Sequence, residues 1–371
     1  MKSIRIVAMT SVLGLTLSAA SAYAQEDTWS TDLSKRTVPM EEIVPGGPPK
    51  DGIPAIDHPK FEHVQRADRW LEDREPVAVV ELNGEPKAYP LQILVWHEIV
   101  NDVVGGIPVA VTYCPLCNTT LAFDRRFDGR VLDFGTTGFL RHSDLVMYDR
   151  QTETWWQQAT GEGLVGDFAG EELRFIGSPV VSWAAFKQQY PEGQVLSRDT
   201  GHPEYADDYG RTPYVGYDAP DSSPWSIFGG KSDDRLTAKD RVVAVELGGE
   251  TRAYPFSRLR EIRVKNDRIR DRKIVVLWAP GTASAVDSAS IASGRDIGAT
   301  GVFDRTVGNR TLNFEPKGED LFRDKQTGTT WNLLGYAISG PLAGQRLVPI
   351  QHGNHFWFAW AAFQPDTKVI R

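Results

Sequence analysis

The chain has 371 residues, with 49 acidic against 41 basic side chains and a net charge of −8. This length is sufficient for two domains with hydrophobic cores. The acidic balance argues against a nucleic-acid partner, because phosphate backbones are bound by clustered Lys and Arg.

The N terminus predicts export. Lys2 and Arg5 precede an apolar run from Ile6 to about Ala20, and Ala22-Tyr23-Ala24 follows it. This order is typical of a secretory signal peptide, so residues 1–24 are predicted to be removed and the mature chain to begin near Gln25. The apolar run is too short to span a membrane well, and no later segment is apolar enough. We expect a periplasmic or secreted protein without membrane insertion.

Residues 25–75 are polar and rich in Pro and Gly, which predicts an extended arm wrapped around the first domain. Val77–Leu82 and Pro86–Tyr89, joined by Asn83-Gly84, predict a β-hairpin. Leu91–Asp102 has apolar residues near helical spacing, and Gly105-Gly106 is predicted to end that helix.

A β-branched strand, Pro108–Tyr113, leads directly into Cys114-Pro115-Leu116-Cys117. Thr119–Phe127 and Arg130–Phe134 predict a second hairpin around Asp128-Gly129. A Gly- and Thr-rich loop is then predicted over 135–143, followed by a short strand near 145–148 and a helix over 182–190.

The second half of the chain repeats the first. Glu81-Leu82-Asn83-Gly84-Glu85 matches Glu246-Leu247-Gly248-Gly249-Glu250, and Trp183-Ala184-Ala185-Phe186 matches Trp360-Ala361-Ala362-Phe363. The period is longer than that of solenoid repeats, so it predicts a tandem domain duplication. The predicted class is α+β and strand-dominated, with a first repeat over 76–196, a connection over 197–240 and a second repeat over 241–371.

The two repeats differ at the cysteines. Cys114-Pro115-Leu116-Cys117 is aligned with Ala279-Pro280-Gly281-Thr282, and His97 is aligned with Ile262. The alignment predicts that the turn forms without thiols, which argues against a purely structural role for the pair. The first repeat also has about five extra residues in the loop that precedes Asp144.

One hypothesis is a metal site. A Cys-Pro-x-Cys turn at a strand end resembles the knuckles of rubredoxin-type and zinc-ribbon sites, in which Asn118 would take the positive-φ position. Two thiolates need further ligands, for which His97 is the main candidate and His142 and Asp144 are weaker ones. Such ligands favour a transition metal, copper or zinc. A periplasmic metal-delivery or redox partner is then an expected partner.

The alternative is a dithiol oxidoreductase, in which Cys114 and Cys117 are the catalytic residues. The residues after Cys117 predict a strand instead of the helix that activates such thiols in thioredoxin-like proteins. A structural disulfide closing so short a loop would contribute only about 2 kcal/mol. A non-enzymatic ligand-binding module built on the recurring aromatic positions is a third possibility, and the sequence leaves open whether the protein is an enzyme.

The assembled motifs resemble the domain-of-unknown-function 3179 family. The resemblance rests on several segments: His97-Glu98-Ile99-Val100-Asn101-Asp102, Gly105-Gly106, Val111-Thr112-Tyr113-Cys114-Pro115-Leu116-Cys117 and Leu145-Val146-Met147-Tyr148-Asp149-Arg150, with further matches over residues 46–56 and 233–236. It implies a secreted or periplasmic bacterial or archaeal protein and brings no assigned reaction. Asn118 stands where the family usually has Gly, and Arg141-His142 stands where Tyr-Asn is commoner.

Overall fold

A computed structural model describes residues 29–371, so the predicted signal peptide lies outside the described residues. The chain is a strand-dominated α+β protein with several antiparallel sheets and short helices, which confirms the predicted class. None of the helices over residues 29–371 is long and apolar enough to cross a membrane.

The arm before residue 76 contributes strands to the sheets of the first repeat. It contains a 3-10 turn (Met40–Glu42), β1 (Ile43–Pro45), β2 (Phe61–His63) and α1 (Val64–Ala67). Ile43 pairs with Arg141, and Phe61 pairs with Leu196, so each arm strand extends the edge of a different sheet.

The first repeat contains fourteen strands and two helices, and with the arm the strands form three larger sheets and the two-stranded sheet β8-β9. In chain order they are β3 (Pro76–Leu82), β4 (Glu85–Pro90), α2 (Leu91–His97), β5 (Ile99–Val104), β6 (Ile107–Cys114), β7 (Thr119–Asp124), β8 (Arg126–Phe127), β9 (Arg130–Val131), β10 (Phe134–Arg141), β11 (Asp144–Asp149), β12 (Trp155–Gln157), β13 (Gly163–Val165), β14 (Phe175–Ile176), β15 (Val180–Ser182), α3 (Trp183–Gln189) and β16 (Gln194–Leu196). The sheet that carries the cysteines has the order β14-β7-β6-β5.

The connection over 197–240 has one 3-10 turn (Pro203–Tyr205) and packs on both repeats. The second repeat follows as β17 (Arg241–Leu247), β18 (Glu250–Pro255), α4 (Phe256–Ile262), β19 (Val264–Ile269), β20 (Arg272–Ala279), a 3-10 turn (Ile291–Ser293), β21 (Ala299–Asp304), β22 (Thr306–Val307), β23 (Arg310–Thr311), β24 (Phe314–Lys317), β25 (Leu321–Asp324), β26 (Thr330–Trp331), β27 (Ala337–Ser339), β28 (Val348–Pro349), β29 (Gly353–Phe356), α5 (Trp357–Phe363) and β30 (Lys368–Val369).

Short sequence patterns correctly predicted several of the elements. Asn83 and Gly84 have φ angles of 51° and 80°, the left-handed pair that a two-residue hairpin turn requires, and β3 pairs with β4 as predicted. The predicted helix over 182–190 is α3, whose first turn is capped by the Ser182 side chain accepting from the Ala185 N–H.

The helix predicted over Leu91–Asp102 is wrong in its second half. The helix α2 ends at His97, and Glu98 follows with a φ of 58° that no helix continues. Ile99 then begins β5, which pairs with β6 along its length. The β-branched residues of 99–104 favour the strand, and Gly105-Gly106 forms the turn to β6 instead of a helix end.

The loop predicted over 135–143 is also wrong, because most of it is β10. This strand pairs with β11 through a two-residue turn in which His142 and Ser143 have φ angles of 53° and 65°. The same hairpin in the second repeat, β24–β25, is shorter. Its terminal pair is Phe314–Asp324, against Phe134–Asp149 in the first repeat, so the first hairpin is five residues longer.

The two repeats share one series of elements. The six elements from β3 to β7 have the same lengths as the six from β17 to β21, namely seven, six, seven, six, eight and six residues. The tandem duplication stays a sequence-based prediction, and this recurrence is what it would produce.

The expectation that the second repeat keeps the cysteine turn is wrong. In the first repeat, Cys114 pairs with Thr119 across residues 115–118. In the second repeat, Ala279 pairs with Ala299, so residues 280–298 stand where the first repeat has a tight turn. A left-handed residue still precedes the next strand in both repeats, since Asn118 directly precedes β7 and Gly298, with a φ of 73°, directly precedes β21.

Candidate metal centre

The two cysteines lie at the end of β6 and in the turn that follows it. Both are free thiols and both are buried, with Cys114 2% exposed and Cys117 0% exposed. Asn118 ends the turn with a φ of 52°, the conformation predicted for the residue after a metal-binding knuckle. The next residue begins β7, so the chain does not continue from the cysteines into a helix.

The long β10–β11 hairpin brings its tip onto this turn. The Ser143 carbonyl oxygen lies 3.1 Å from the Cys117 Sγ and 3.6 Å from the Cys114 Sγ. Asp144, the next residue, is fully buried. The five extra residues of this hairpin therefore carry an acidic side chain and a carbonyl to the cysteines.

Three potential ligands come together here. One Asp144 carboxylate oxygen and the sulfurs of Cys114 and Cys117 all lie within 4.8 Å of one another. The Oδ2 atom of Asp144 accepts hydrogen bonds from the Gln157 side chain at 2.6 Å and from the Ala159 N–H at 2.8 Å. Its Oδ1 atom is buried and has no hydrogen-bond partner in the described part of the chain.

This unpartnered oxygen fits a cation. A buried carboxylate oxygen without a hydrogen bond is costly, and a metal ion beside two sulfurs would satisfy it. Two thiolates and a carboxylate oxygen form a donor set that zinc accepts.

Burial sets the protonation of the group when no cation is bound. It raises the pKa of both cysteine thiols, and it raises the pKa of Asp144 to about 6. The neutral thiols donate towards the Ser143 carbonyl. A divalent cation reverses this preference, because its charge stabilises thiolates and the carboxylate.

Glu98 is a site residue that the sequence did not reveal. Its carboxyl makes no hydrogen bond or ion pair with any other described residue, although the side chain is only 8% exposed. Burial, followed by the charge of Asp144, raises the pKa of Glu98 to about 8. The prediction of a helix over Leu91–Asp102 hid this residue, and Ile99-Val100 directly after it was the available signal for a strand.

The two histidines predicted as ligands are placed differently. The His97 Nδ1 lies 2.8 Å from the Pro54 carbonyl oxygen, and its Nε2 lies 2.7 Å from the Tyr209 hydroxyl. His142 lies at the hairpin tip, with its Nε2 3.5 Å from a Glu42 oxygen. Neither imidazole belongs to the group of Cys114, Cys117 and Asp144. Their assignment as ligands stays a prediction.

The connection and the second repeat cover the cysteine turn. The Tyr217 hydroxyl donates to the Leu116 carbonyl at 3.0 Å, and the Phe356 N–H donates to the Cys117 carbonyl at 2.8 Å. Val286, from the long segment that replaces the turn in the second repeat, packs in the same apolar cluster as both cysteines. Sequence reasoning missed these residues because all of them are far from the cysteines along the chain.

A buried cation lies in this cover. The Lys239 ammonium lies 3.0 Å from the centre of the Tyr217 ring and 5.0 Å from that of Phe356. Burial lowers its pKa to about 7, against the opposing influence of the Cys117 and Asp218 charges. In its protonated form, Lys239 interacts favourably with the Cys117 thiolate.

The recurring aromatic positions are core residues. The Trp156 and Trp331 indoles each donate to an aspartate seven residues earlier, Asp149 and Asp324, at 2.9 and 3.0 Å. Trp156, Trp331 and Tyr89 are fully buried. These side chains therefore fill the interior of each repeat instead of lining an open groove.

Comparison with protein families gives a match over most of the chain. The model described as "Protein of unknown function (DUF3179)" matches residues 50–367. Comparison with curated proteins and with solved structures returned no match.

Proposed function

Since the chain belongs to this family of unknown function, its activity has to be inferred from the site, and we propose that it is an exported protein that binds a transition-metal ion through Cys114, Cys117 and Asp144. The observation that carries this proposal is the convergence within 4.8 Å of two free thiols and an oxygen of the Asp144 carboxylate, whose Oδ1 has no hydrogen-bond partner among residues 29–371.

The chemistry of the donors favours zinc over copper. Copper(I) prefers soft sulfur ligands, whereas zinc accepts a mixture of thiolate and carboxylate. The Ser143 carbonyl borders the same space and offers a further oxygen. Cys114 and Cys117 would supply thiolates, and Asp144 would supply a carboxylate held in place by the hydrogen bonds from Gln157 and Ala159. The ion would act there as a Lewis acid or be stored as cargo.

The dithiol oxidoreductase is the second candidate, since two neighbouring free thiols can also form a disulfide. Exchange with a protein partner requires a sulfur that the partner can reach. Cys114 and Cys117 are 2% and 0% exposed, and the pKa of both thiols is raised by burial. Burial and a high pKa both slow attack by a thiolate, so the metal site is the better supported function.

The test is metal analysis of the full chain purified from the periplasm without oxygen. We expect about one zinc per chain in the wild type and none in a Cys114→Ser, Cys117→Ser double variant or in Asp144→Asn. His97→Gln and His142→Gln serve as matched variants that we expect to keep the ion. A metal-free wild type with a reversible two-electron disulfide potential would support the oxidoreductase instead. A wild type with neither property would leave the ligand-binding module.

A further inference from the structure

The backbone of Glu98 is fixed beside the cysteine turn. Its carbonyl oxygen accepts a hydrogen bond from the Tyr113 N–H at 2.8 Å, and Tyr113 directly precedes Cys114. The φ of 58° at Glu98 is uncommon for a residue with a Cβ, and it interrupts the regular backbone between α2 and β5. The Glu98 side chain therefore starts from a position held next to the end of β6.

The second repeat shows where a side chain at this position is directed. The counterpart of Glu98 is Arg263, which has a φ of 59° and whose carbonyl accepts the equivalent hydrogen bond from β20 at 2.9 Å. The Arg263 guanidinium donates to the carbonyl oxygens of Gly318 and Glu319 at the tip of the β24–β25 hairpin. The same backbone geometry directs Glu98 towards the tip of the β10–β11 hairpin, which carries Asp144.

This hairpin tip gives Glu98 no hydrogen-bond donor. The Glu98 side chain is 8% exposed, and its carboxyl makes no hydrogen bond or ion pair within residues 29–371. After burial, the charge of Asp144 raises the pKa of Glu98, and the charges of Asp144 and Glu98 both raise the pKa of Cys114. The carboxyl thus lies among other acidic groups, an arrangement that favours a cation.

The metal site has room for one more ligand. Cys114, Cys117 and Asp144 supply three donors, and none of the three residues is more than 2% exposed. Structural zinc sites have four protein ligands, whereas catalytic zinc sites keep one position for water or substrate. Four anionic donors are common around zinc, since sites of four cysteine thiolates have the same ligand charge.

Building on the proposed function, we propose that the Glu98 carboxylate is the fourth ligand and completes a zinc site of two sulfurs and two oxygens. Glu98 lies outside the group of donors within 4.8 Å, so its side chain has to rotate towards the ion. No hydrogen bond holds the carboxyl in its present position. With Glu98 bound, the ion is enclosed by protein and has no position for a substrate, which makes it a stored or structural ion instead of a Lewis acid.

Zinc affinity of the full chain tests this assignment, measured by competition with a chromophoric chelator at neutral pH. We expect Glu98→Gln to bind zinc at least about 10-fold more weakly than the wild type, since even residues that only orient a ligand contribute that much. The matched control is Glu42→Gln, which removes a partly exposed carboxylate from the outer side of the same hairpin tip. Its affinity should stay within about fivefold of the wild type.

Circular dichroism of the chelator-treated variants checks their folding. We expect Glu98→Gln to fold, because the substitution removes a buried acid that has no partner. A loss of zinc affinity in folded Glu98→Gln no larger than that in Glu42→Gln would overturn the assignment of Glu98 while leaving the metal site in place. A wild type that binds no zinc would overturn both proposals.

A second measurement on the wild type alone keeps the test decisive if Glu98→Gln fails to fold. The zinc is replaced by cobalt(II), whose visible absorption reports its ligands, and azide is added. We expect the spectrum to stay unchanged, because four protein ligands leave no position for a small anion. A spectral change on adding azide would show an open position and overturn the assignment of Glu98.

Discussion

The turn after β6 and the segment after β20 begin from equivalent strands and end in different structures. The first is a tight turn of residues 115–118 that presents two sulfurs and is sealed by a long hairpin. The second is the longer segment 280–298, and residues 279–282 line an open cavity of about 290 Å³ beside the short β24–β25 hairpin. The comparison shows that, over residues 29–371, a tight turn with two sulfurs under a long hairpin is found in the first repeat and has no equivalent in the second.

Shortening the β10–β11 hairpin is the variant for which we expect the largest effect, because it makes the first repeat resemble the second. A chain whose β10–β11 tip is cut by five residues, to the length of β24–β25, loses the Ser143 carbonyl and Asp144 from the site. We expect it to bind no zinc and its thiols to react at least about 10-fold faster with a thiol reagent, because reaction no longer requires local opening. Thiol titration and metal analysis measure both effects.

The control for this variant is His142→Ala, which changes the tip without changing its length and should keep the thiols protected. Thiols that react as slowly in the shortened chain as in the wild type would show that the hairpin is not the cover.

Glu98 and its counterpart Arg263 provide a pH-dependent comparison. Both follow a helix with a positive φ, at 58° and 59°. The pKa of Glu98 is raised by burial and by Asp144 to about 8 in the folded chain, above the unfolded value near 4.5. Stability from this group is therefore complete below about pH 4.5 and is lost as the pH rises through 8.

Glu98→Gln cannot ionise, so it removes the loss of stability that ionisation of Glu98 causes at high pH. In chelator-treated protein we expect the variant to exceed the wild type in unfolding free energy by roughly 2–5 kcal/mol at pH 9 and to match it near pH 4.5. Denaturant unfolding at both pH values measures this difference. Arg263→Gln should show no gain that grows with pH, and an equal gain in both variants would contradict the assignment.

Tyr217→Phe tests the cover supplied by the connection. The substitution removes the hydrogen bond to the Leu116 carbonyl and leaves a buried acceptor unpaired. We expect a loss of about 1–2 kcal/mol in unfolding free energy. The matched control is Tyr214→Phe, because the Tyr214 hydroxyl makes no hydrogen bond with the described residues. Denaturant unfolding measures both variants. Equal losses of unfolding free energy in the two would show that the hydrogen bond from Tyr217 to Leu116 does not stabilise the turn.

Asn118 gives the smallest expected effect. Its φ of 52° is costly for residues with a Cβ, though less so for Asn. We expect Asn118→Ala to lower the unfolding free energy by about 1 kcal/mol and Asn118→Gly to change it by less than about 0.5 kcal/mol. In the second repeat, Ala283→Gly should give no gain, since the left-handed residues of segment 280–298 are Gly281 and Gly298 and Ala283 has no positive φ. Thermal unfolding of all three variants checks this order.

Local chemistry made part of the fold predictable from the sequence. Asn83-Gly84 requires a tight hairpin turn, and Ser182 caps α3 through its own side chain, so both follow from a few neighbouring residues. The helix over Leu91–Asp102 failed in its second half because strand pairing with β6 overrides a spacing that resembles a helix. The spacing of apolar residues within one segment carries no information about its pairing with another strand.

The same limit applies to the site. Cys114 and Cys117 were predictable as a site because they lie only three positions apart in the sequence. The extra residues before Asp144 made that residue a weaker candidate ligand. Their cover was not predictable, since Tyr217, Val286 and Phe356 reach the turn from positions roughly one hundred to two hundred and forty residues away in the chain. No local pattern encodes contacts of that range.

The hydrogen bond from the Phe356 N–H to the Cys117 carbonyl has a consequence for the modularity of this protein. The second repeat has no cysteine or methionine, yet it covers part of the turn that carries the two cysteines of the first repeat. A chain truncated before β29 would keep both thiols and the β10–β11 hairpin over them, but it would lose the part of their cover that β29 and α5 supply. Selection on the N-terminal thiols would then preserve the C-terminal half, which has no sulfur of its own.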